Sequence, residues 1–144
     1  IFLRSYDSLM SEETLSEMFT LFPQKGYKIF LKKHPFYKGS WVDKIAEKYN
    51  LEMIDLEQDA SEIILKFRPC FTVSWRSTAL CESLRHGVVP ISLSEARTGL
   101  TSPYLGIYPI KKRTLSWNEE KERIFELLED TSLYTKTLSE LRVR

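Results

Sequence analysis

The feature of this sequence that most limits its fold is a regular alternation of strand-like and helix-like segments. Short β-rich apolar runs are separated by amphipathic stretches that open on cap residues and end near Pro or Gly. Strands are predicted at residues 1–6, 27–31, 51–56, 70–74, 88–93 and 107–110, and helices beginning near 11, 40, 59, 77, 117 and 131. Parallel strands need such crossovers, which are almost always right-handed.

This order predicts an α/β fold, a doubly wound Rossmann-like parallel sheet of about five or six strands with helices on both faces. The chain has 144 residues, of which 42% are hydrophobic, so we expect one domain with one core over residues 1–144. It begins inside the apolar run Ile1-Phe2-Leu3 without an initial methionine. We therefore expect a piece of a longer protein.

Charge and composition exclude several classes of protein. A formal net charge of +1 argues against nucleic-acid binding, which normally needs a basic surface. No apolar run approaches the roughly 20 residues that span a bilayer, and no signal peptide is visible. Cys70 and Cys81 are expected to be buried free thiols in a reducing cytosol, because two cysteines without a suitably spaced histidine give little support for a disulfide or metal site.

Common catalytic motifs are also missing from the sequence. It contains no P-loop, no Gly-x-Gly-x-x-Gly after the first strand and no Gly-x-Ser-x-Gly elbow. Its two histidines, His34 and His86, have no acidic cluster beside them in the sequence. These absences argue against P-loop kinases, dinucleotide enzymes, Ser-His-Asp hydrolases and metalloenzymes.

Two polar segments follow predicted strands at the edge of the sheet where α/β proteins bind ligands. Lys32-Lys33-His34-Pro35 follows the second strand, and Ser74-Trp75-Arg76-Ser77-Thr78 joins the fourth strand to its helix. Ligands bind outside the carboxyl ends of parallel strands, and helix N-termini attract anions. The two segments together predict a phosphate site.

Each candidate residue in these segments also has an ordinary structural interpretation. A lone histidine at a strand end is usually a partly exposed loop residue. For His34, the preceding lysines and the rigid Pro35 favour a functional imidazole in a positive field. Ser77 and Thr78 are equally well explained as helix caps. Glu82, one turn into the helix, either faces solvent or accepts hydrogen bonds from the vicinal hydroxyls of a ribose.

These residues resemble a known enzyme family. His34-Pro35 after a strand, then Ser77-Thr78-Ala79-Leu80-x-Glu82-Ser83-Leu84 and Gly87-Val88-x-Pro90, resemble the C-terminal half of bacterial GT-B glycosyltransferases. They are most similar to bacterial sialyltransferases and polysialyltransferases, which are described by an HP motif and a Ser-Ser/Thr motif. The resemblance follows the whole chain in the order of its elements, and about a dozen residues carry it.

The resemblance implies a donor-binding domain of an enzyme that transfers sialic acid from CMP-sialic acid to a glycan acceptor, by inverting displacement without metal or cofactor. His34 would contact the donor phosphate and help CMP leave, and Ser77 and Thr78 would hydrogen-bond the same phosphate. The implied ribose or nucleotide contacts are Glu82, Pro35 and Ser74.

The same resemblance places the catalytic base in an N-terminal domain of the parent chain, so this segment alone is expected to be inactive. The parent would work in the bacterial cytoplasm, peripheral to the inner membrane, in capsule or lipooligosaccharide synthesis. Transferases that use CMP-Kdo or CDP-glycerol share a Lys-x-His-Pro and a Ser-Thr-helix arrangement, and the bulky Trp75-Arg76 leaves the sugar open. A non-enzymatic Rossmann-like binding module, docking through its C-terminal helices, is the other alternative.

Overall fold

The computed structural model describes residues 1–3, 12–33, 40–54, 58–74, 78–93 and 114–143. This part of the chain is α/β, with helices between short strands that pair in parallel. It divides into two compact units, unit 1 (Ile1–Gln58) and unit 2 (Asp59–Arg144). The single domain expected over residues 1–144 stays a prediction.

Unit 1 is a small parallel sheet with two helices. Its strands are β1 (Phe2–Leu3), β2 (Phe30–Lys33) and β3 (Glu52–Met53), in the order β1-β2-β3, and its helices are α1 (Glu12–Gln24) and α2 (Trp41–Lys48). Helix α1 is amphipathic, as the sequence predicts, because its apolar residues Leu15, Met18, Phe19 and Phe22 are all buried. Helix α1 ends between Pro23 and Gly26, in agreement with the prediction that the helices end near Pro or Gly. The helix continues to Gln24, and Gly26 follows it at φ +86°.

Strand β2 lies further along the chain than the sequence predicts. It runs over Phe30–Lys33 instead of residues 27–31, so Lys32 and Lys33 belong to the strand. The N–H of Lys32 donates to the carbonyl of Ile1 at 2.8 Å, and Lys32 itself is buried. The Lys33 ammonium lies 2.9 Å from a carboxylate oxygen of Asp43 on α2. These contacts explain how two lysines can occupy a strand.

Unit 2 contains a second small parallel sheet, in the order β4-β5-β6. The strands are β4 (Phe71–Ser74), β5 (Val89–Ser92) and β6 (Leu115–Ser116). The helices are α3 (Ala60–Phe67), α4 (Thr78–Arg85), α5 (Trp117–Glu129) and α6 (Thr131–Val143). The fully buried apolar side chains of this unit include Ile64, Leu80, Val89, Ile91, Trp117 and Ile124.

Local signals in the sequence account for the ends of the helices in unit 2. Asp59 caps α3, since its carboxylate accepts the N–H of Glu62 at 2.8 Å. Arg68 ends the same helix in the left-handed conformation at φ +46°. Gly87 ends α4 at φ +79°, as predicted. These caps confirm the predicted positions of α3 and α4.

Two expectations change, namely the single sheet and the burial of the cysteines. The described residues form two three-stranded sheets, and a single sheet of five or six strands is not seen in them. The strand predicted at residues 107–110 lies outside the described residues, whereas β6 was not predicted because two residues before a helix carry no strand pattern. Cys70 was expected to be buried but is exposed, because β4 begins one residue after it; Cys81 is partly buried, and both are free thiols.

Tyr134 of α6 joins the amino ends of β4 and β5. Its hydroxyl donates to the carbonyl of Cys70 at 2.6 Å and accepts the N–H of Val89 at 3.0 Å. Burial raises the pKa of Tyr134 above its usual value, and Cys70 adds to this increase while the Val89 N–H opposes it. The side chain therefore fixes α6 to two strands at once.

We expect Tyr134→Phe to lower the free energy of unfolding by about 1–3 kcal/mol, because the N–H of Val89 loses its acceptor. Because the pKa of Tyr134 is higher in the folded state than in the unfolded state, protonated Tyr134 contributes its full stabilisation at pH values below the unfolded-state pKa. This contribution is lost as the pH rises through the folded-state pKa. Urea unfolding at neutral and alkaline pH measures both effects. A variant that unfolds like the wild type at both pH values would show that this hydroxyl contributes nothing.

Candidate functional site

The candidate site is the corner where β4 leads into α4 in unit 2. Strand β4 ends at Ser74 and α4 begins at Thr78. The first turn of any α-helix presents N–H groups that have no partner within the helix, and the helix dipole favours an anion there. The first turn of α4 contains no acidic residue that would oppose such an anion. The first turn of α4 therefore has the backbone geometry of an anion site.

Ser74 is the most unusual residue at this corner. It is fully buried, and its hydroxyl has no hydrogen-bond partner among the residues that the structure describes. Its backbone carbonyl is paired, since it accepts the N–H of Leu93 at 2.9 Å. A buried hydroxyl without a partner costs about 1–3 kcal/mol. Such a group in a folded protein needs an explanation, and a bound ligand or an ordered water is one.

The contacts of Thr72 show which way the Ser74 side chain points. The hydroxyl of Thr72 is hydrogen-bonded to that of Ser83 on α4, and Ser83 Oγ also donates to the carbonyl of Ala79 at 2.7 Å. Residues two apart in a strand share one face of the sheet, so Ser74 points to the same side as Thr72.

The spacing along the two elements then locates the Ser74 hydroxyl. Moving along β4 from Thr72 to Ser74 covers roughly 6 Å. Moving back along α4 from Ser83 to Ala79 covers about the same distance. Helix α4 runs in the direction opposite to β4, because it leads back to β5, which is parallel to β4. The two movements therefore end side by side, at Ser74 on the strand and at Ala79 on the helix. From this spacing we infer that the Ser74 hydroxyl, which has no partner among the described residues, lies beneath the first turn of α4.

The other predicted phosphate contacts are only partly described. His34, Pro35 and Ser77 lie outside the described residues, so their roles stay predictions from the sequence. Thr78 is the first residue of α4, which confirms that the helix starts where Ser77 or Thr78 was expected to open it. The side chain of Thr78 lies outside the described part.

Glu82 belongs to a hydrogen-bonded cluster between α3 and α4. Its Oε2 accepts the hydroxyl of Ser61 at 2.7 Å and lies 3.8 Å from His86 Nε2. His86 Nε2 is in turn 3.2 Å from Ser61 Oγ, and Arg85 lies 3.4 Å from the other carboxylate oxygen. The described contacts of the Glu82 carboxylate are therefore with Ser61, Arg85 and His86, and none of them is with Ser74. The predicted contact between Glu82 and a ribose stays a prediction.

Two further features of unit 2 escaped the sequence analysis. A cavity of about 360 Å³ lies at the amino ends of β4 and β5, where Cys70, His86, Leu127 and Tyr134 contribute to its wall.

The other feature is that Ser92 and Ser116, like Ser74, end their strands. An aliphatic-Ser-apolar triplet closes all three strands, and that repeated triplet is a signal that the sequence does carry.

The described residues contain neither a metal-binding cluster nor a membrane-spanning helix. There, no three or more His, Cys, Asp or Glu side chains gather in a way that could hold a metal ion. None of the helices in this part of the chain combines the length and the apolar character that crossing a membrane requires.

Comparison with protein-family models, curated proteins and solved structures finds no match to this chain.

Proposed function

We propose that this chain is the donor-nucleotide-binding domain of an inverting, metal-independent glycosyltransferase that transfers sialic acid from CMP-sialic acid to a glycan acceptor. The observation that carries the proposal is the buried hydroxyl of Ser74, which ends β4 ahead of α4 and has no hydrogen-bond partner among the described residues. A phosphate at this corner would accept that hydroxyl and also the free N–H groups of the helix. The Ser-Thr segment of the sequence resemblance falls at the same corner.

The doubly wound, Rossmann-like architecture of a GT-B C-terminal half is part of this proposal. What supports it is that every strand pair in the described residues is parallel. Helices also separate consecutive strands from β1 to β5, as right-handed crossovers require. The candidate site lies at the carboxyl end of its strand, which is where open α/β sheets bind ligands.

The chemistry of the proposed reaction explains why such a corner is useful. The acceptor oxygen attacks the anomeric carbon of the sugar from the face opposite CMP, the bond from that carbon to the phosphate oxygen breaks, and CMP leaves with the electron pair. Negative charge grows on the phosphate, and fixed hydrogen-bond donors in a dry site stabilise it, typically by about 3 kcal/mol each. Ser74, Thr78 and the first turn of α4 are the donors that we assign to this charge.

Two roles rest on the sequence resemblance. His34 keeps the role of phosphate contact and proton donor to the leaving CMP, and the base that accepts the acceptor proton belongs to the N-terminal domain of the parent protein. The proposed setting is the bacterial cytoplasm, peripheral to the inner membrane. Transfer from CMP-Kdo or CDP-glycerol would use the same phosphate contacts, so the choice of nucleotide and sugar is left to experiment.

Nucleotide binding by the purified chain tests the proposal. We expect CMP to raise the midpoint of thermal unfolding, and Thr78→Ala to weaken CMP binding about tenfold because a donor to the phosphate is lost. Thr131→Ala is the matched control, since Thr131 also begins a helix but lies on α6 and is exposed. Titrations with CMP, CDP and UMP measure the nucleotide preference.

Two outcomes would overturn the proposal. One is that no cytidine nucleotide stabilises the protein at millimolar concentration. The other is that Thr78→Ala and Thr131→Ala bind CMP equally well, because CMP would then bind elsewhere. A preference for CDP over CMP would retain the phosphate site and redirect the function to transfer from a CDP-linked donor.

A further inference from the structure

The carboxyl ends of β4, β5 and β6 place three serines side by side. Ser74 is paired with Ser92, and Ser92 with Ser116, in the register of the parallel sheet. Paired residues on neighbouring parallel strands point to the same face. The three hydroxyls therefore form one line across the sheet edge, on the side that Thr72 shares with α4, and we call this line the serine row.

The hydroxyls at both ends of the serine row have no hydrogen-bond partner among the described residues. Ser74 Oγ and Ser116 Oγ are buried and make no hydrogen bond within the part of the chain that the structure describes, and Ser92 between them is also buried. The outer two positions are two strand spacings, or roughly 10 Å, apart. Three hydroxyls over that length are too widely spaced for a single phosphate and fit a longer polar ligand.

Ser116 could be dismissed as an ordinary helix cap, but its contacts show otherwise. It stands at the N-cap of α5, yet its side chain makes no capping hydrogen bond. Glu120 Oε2 instead accepts the backbone N–H of Ser116 at 2.9 Å. Asp59, by contrast, caps α3 through its own side chain. The hydroxyl of Ser116 is therefore not used by the helix that follows it.

The two ends of the serine row differ in electrostatic character. Helix α4, beside Ser74, has no acidic residue in its first turn. Helix α5, which begins directly after Ser116, has Glu119 and Glu120 there. Carboxylates at a helix N-terminus neutralise the attraction for an anion. A phosphate is therefore favoured at Ser74, whereas a neutral hydroxyl-bearing group is favoured at Ser116.

We propose that the serine row binds a nucleoside monophosphate lengthwise, with the phosphate at Ser74 and the ribose diol hydrogen-bonded to Ser116. This inference rests on the proposed function and specifies how the same site holds the nucleotide. It assigns the ribose to a residue on β6 in place of Glu82, whose carboxylate is already hydrogen-bonded to Ser61 on α3. Ser92 lies between the two groups and lines the path that joins them.

Affinities for two nucleotides that differ only in the ribose hydroxyls test the inference. CMP and 2′,3′-dideoxycytidine monophosphate are titrated by calorimetry into the wild type, Ser116→Ala and Glu82→Gln. We expect the wild type to bind CMP more tightly than the dideoxy nucleotide. Ser116→Ala should weaken CMP binding about fivefold and leave the dideoxy affinity unchanged, so that the preference disappears. Glu82→Gln should keep the wild-type preference.

The outcomes separate the inference from the function on which it rests. If Ser116→Ala weakens both nucleotides equally, or neither, Ser116 does not bind the ribose. If Glu82→Gln abolishes the preference, the ribose belongs to Glu82. In each case wild-type CMP binding leaves the proposed function standing, whereas wild-type protein that binds no CMP overturns both. Ser116→Ala removes a buried hydroxyl that has no hydrogen-bond partner among the described residues, so the variant should fold, which circular dichroism checks.

Discussion

Ser74→Ala is expected to stabilise the free protein and at the same time to remove most of its response to CMP. The Ser74 hydroxyl is buried without a partner among the described residues, so its removal should raise the free energy of unfolding by about 1 kcal/mol. The same hydroxyl is proposed to donate to the phosphate, and hydrogen bonds to charged groups contribute about 1.5–3 kcal/mol. CMP affinity should therefore fall at least about tenfold.

Ser83→Ala is the matched control for Ser74→Ala. Ser83 is an equally buried serine of unit 2, but its hydroxyl is hydrogen-bonded to Thr72 and to the carbonyl of Ala79. Its removal should destabilise the protein by about 1–3 kcal/mol and leave no direct mark on phosphate binding. Urea unfolding with and without CMP measures both variants. A Ser74→Ala protein that is destabilised like Ser83→Ala, or that binds CMP like the wild type, would contradict this account of the corner.

Leu80→Ala should be the most destabilising of the changes considered. Leu80 is fully buried in unit 2, with Cys81 packed against the same cluster, and it lies in the first turn of α4. Replacing a buried leucine by alanine costs about 2–5 kcal/mol, a large part of the stability of an ordinary domain. The first turn of α4 should also lose its fixed position, so CMP affinity should fall together with stability.

Leu65→Ala on α3 is the control for Leu80→Ala, because 48% of Leu65 is exposed. It should change the free energy of unfolding by less than about 1 kcal/mol. Urea denaturation of both variants gives the comparison. If the two variants unfold at the same urea concentration, Leu80 does not anchor α4 on its sheet.

The parts of the fold that depend on local signals could be predicted from the sequence. Asp59 is a helix start and Gly87 a helix stop, and each acts within one helical turn. Helix α3 begins directly after Asp59, and α4 ends just before Gly87. Strand β2 could not be located in the same way, because Lys32 and Lys33 look like loop residues. The pairing of Lys32 with β1 and of Lys33 with Asp43, which bring them into the strand, are tertiary contacts.

In the candidate site, too, the local features could be predicted from the sequence and the tertiary ones could not. A strand end at Ser74 followed by a helix start at Thr78 is a local pattern, and the structure has both where they were predicted. The serine row was missed because the register that brings Ser92 and Ser116 beside Ser74 is set by strand pairing over distant parts of the chain. Burial decides the rest, since only the folded protein shows that a serine hydroxyl is left without a partner.

The proposal on which the whole site depends is that a nucleotide phosphate binds where β4 meets α4. Its most direct test is a titration of isotope-labelled protein with CMP, followed through the backbone amide resonances. We expect the largest shifts at Ser74 and in the first turn of α4, at Ala79 and Leu80, whose N–H groups would face the phosphate. Saturating CMP that leaves these amides unmoved, or that shifts only residues around the Cys70 and His86 cavity, would contradict the claim.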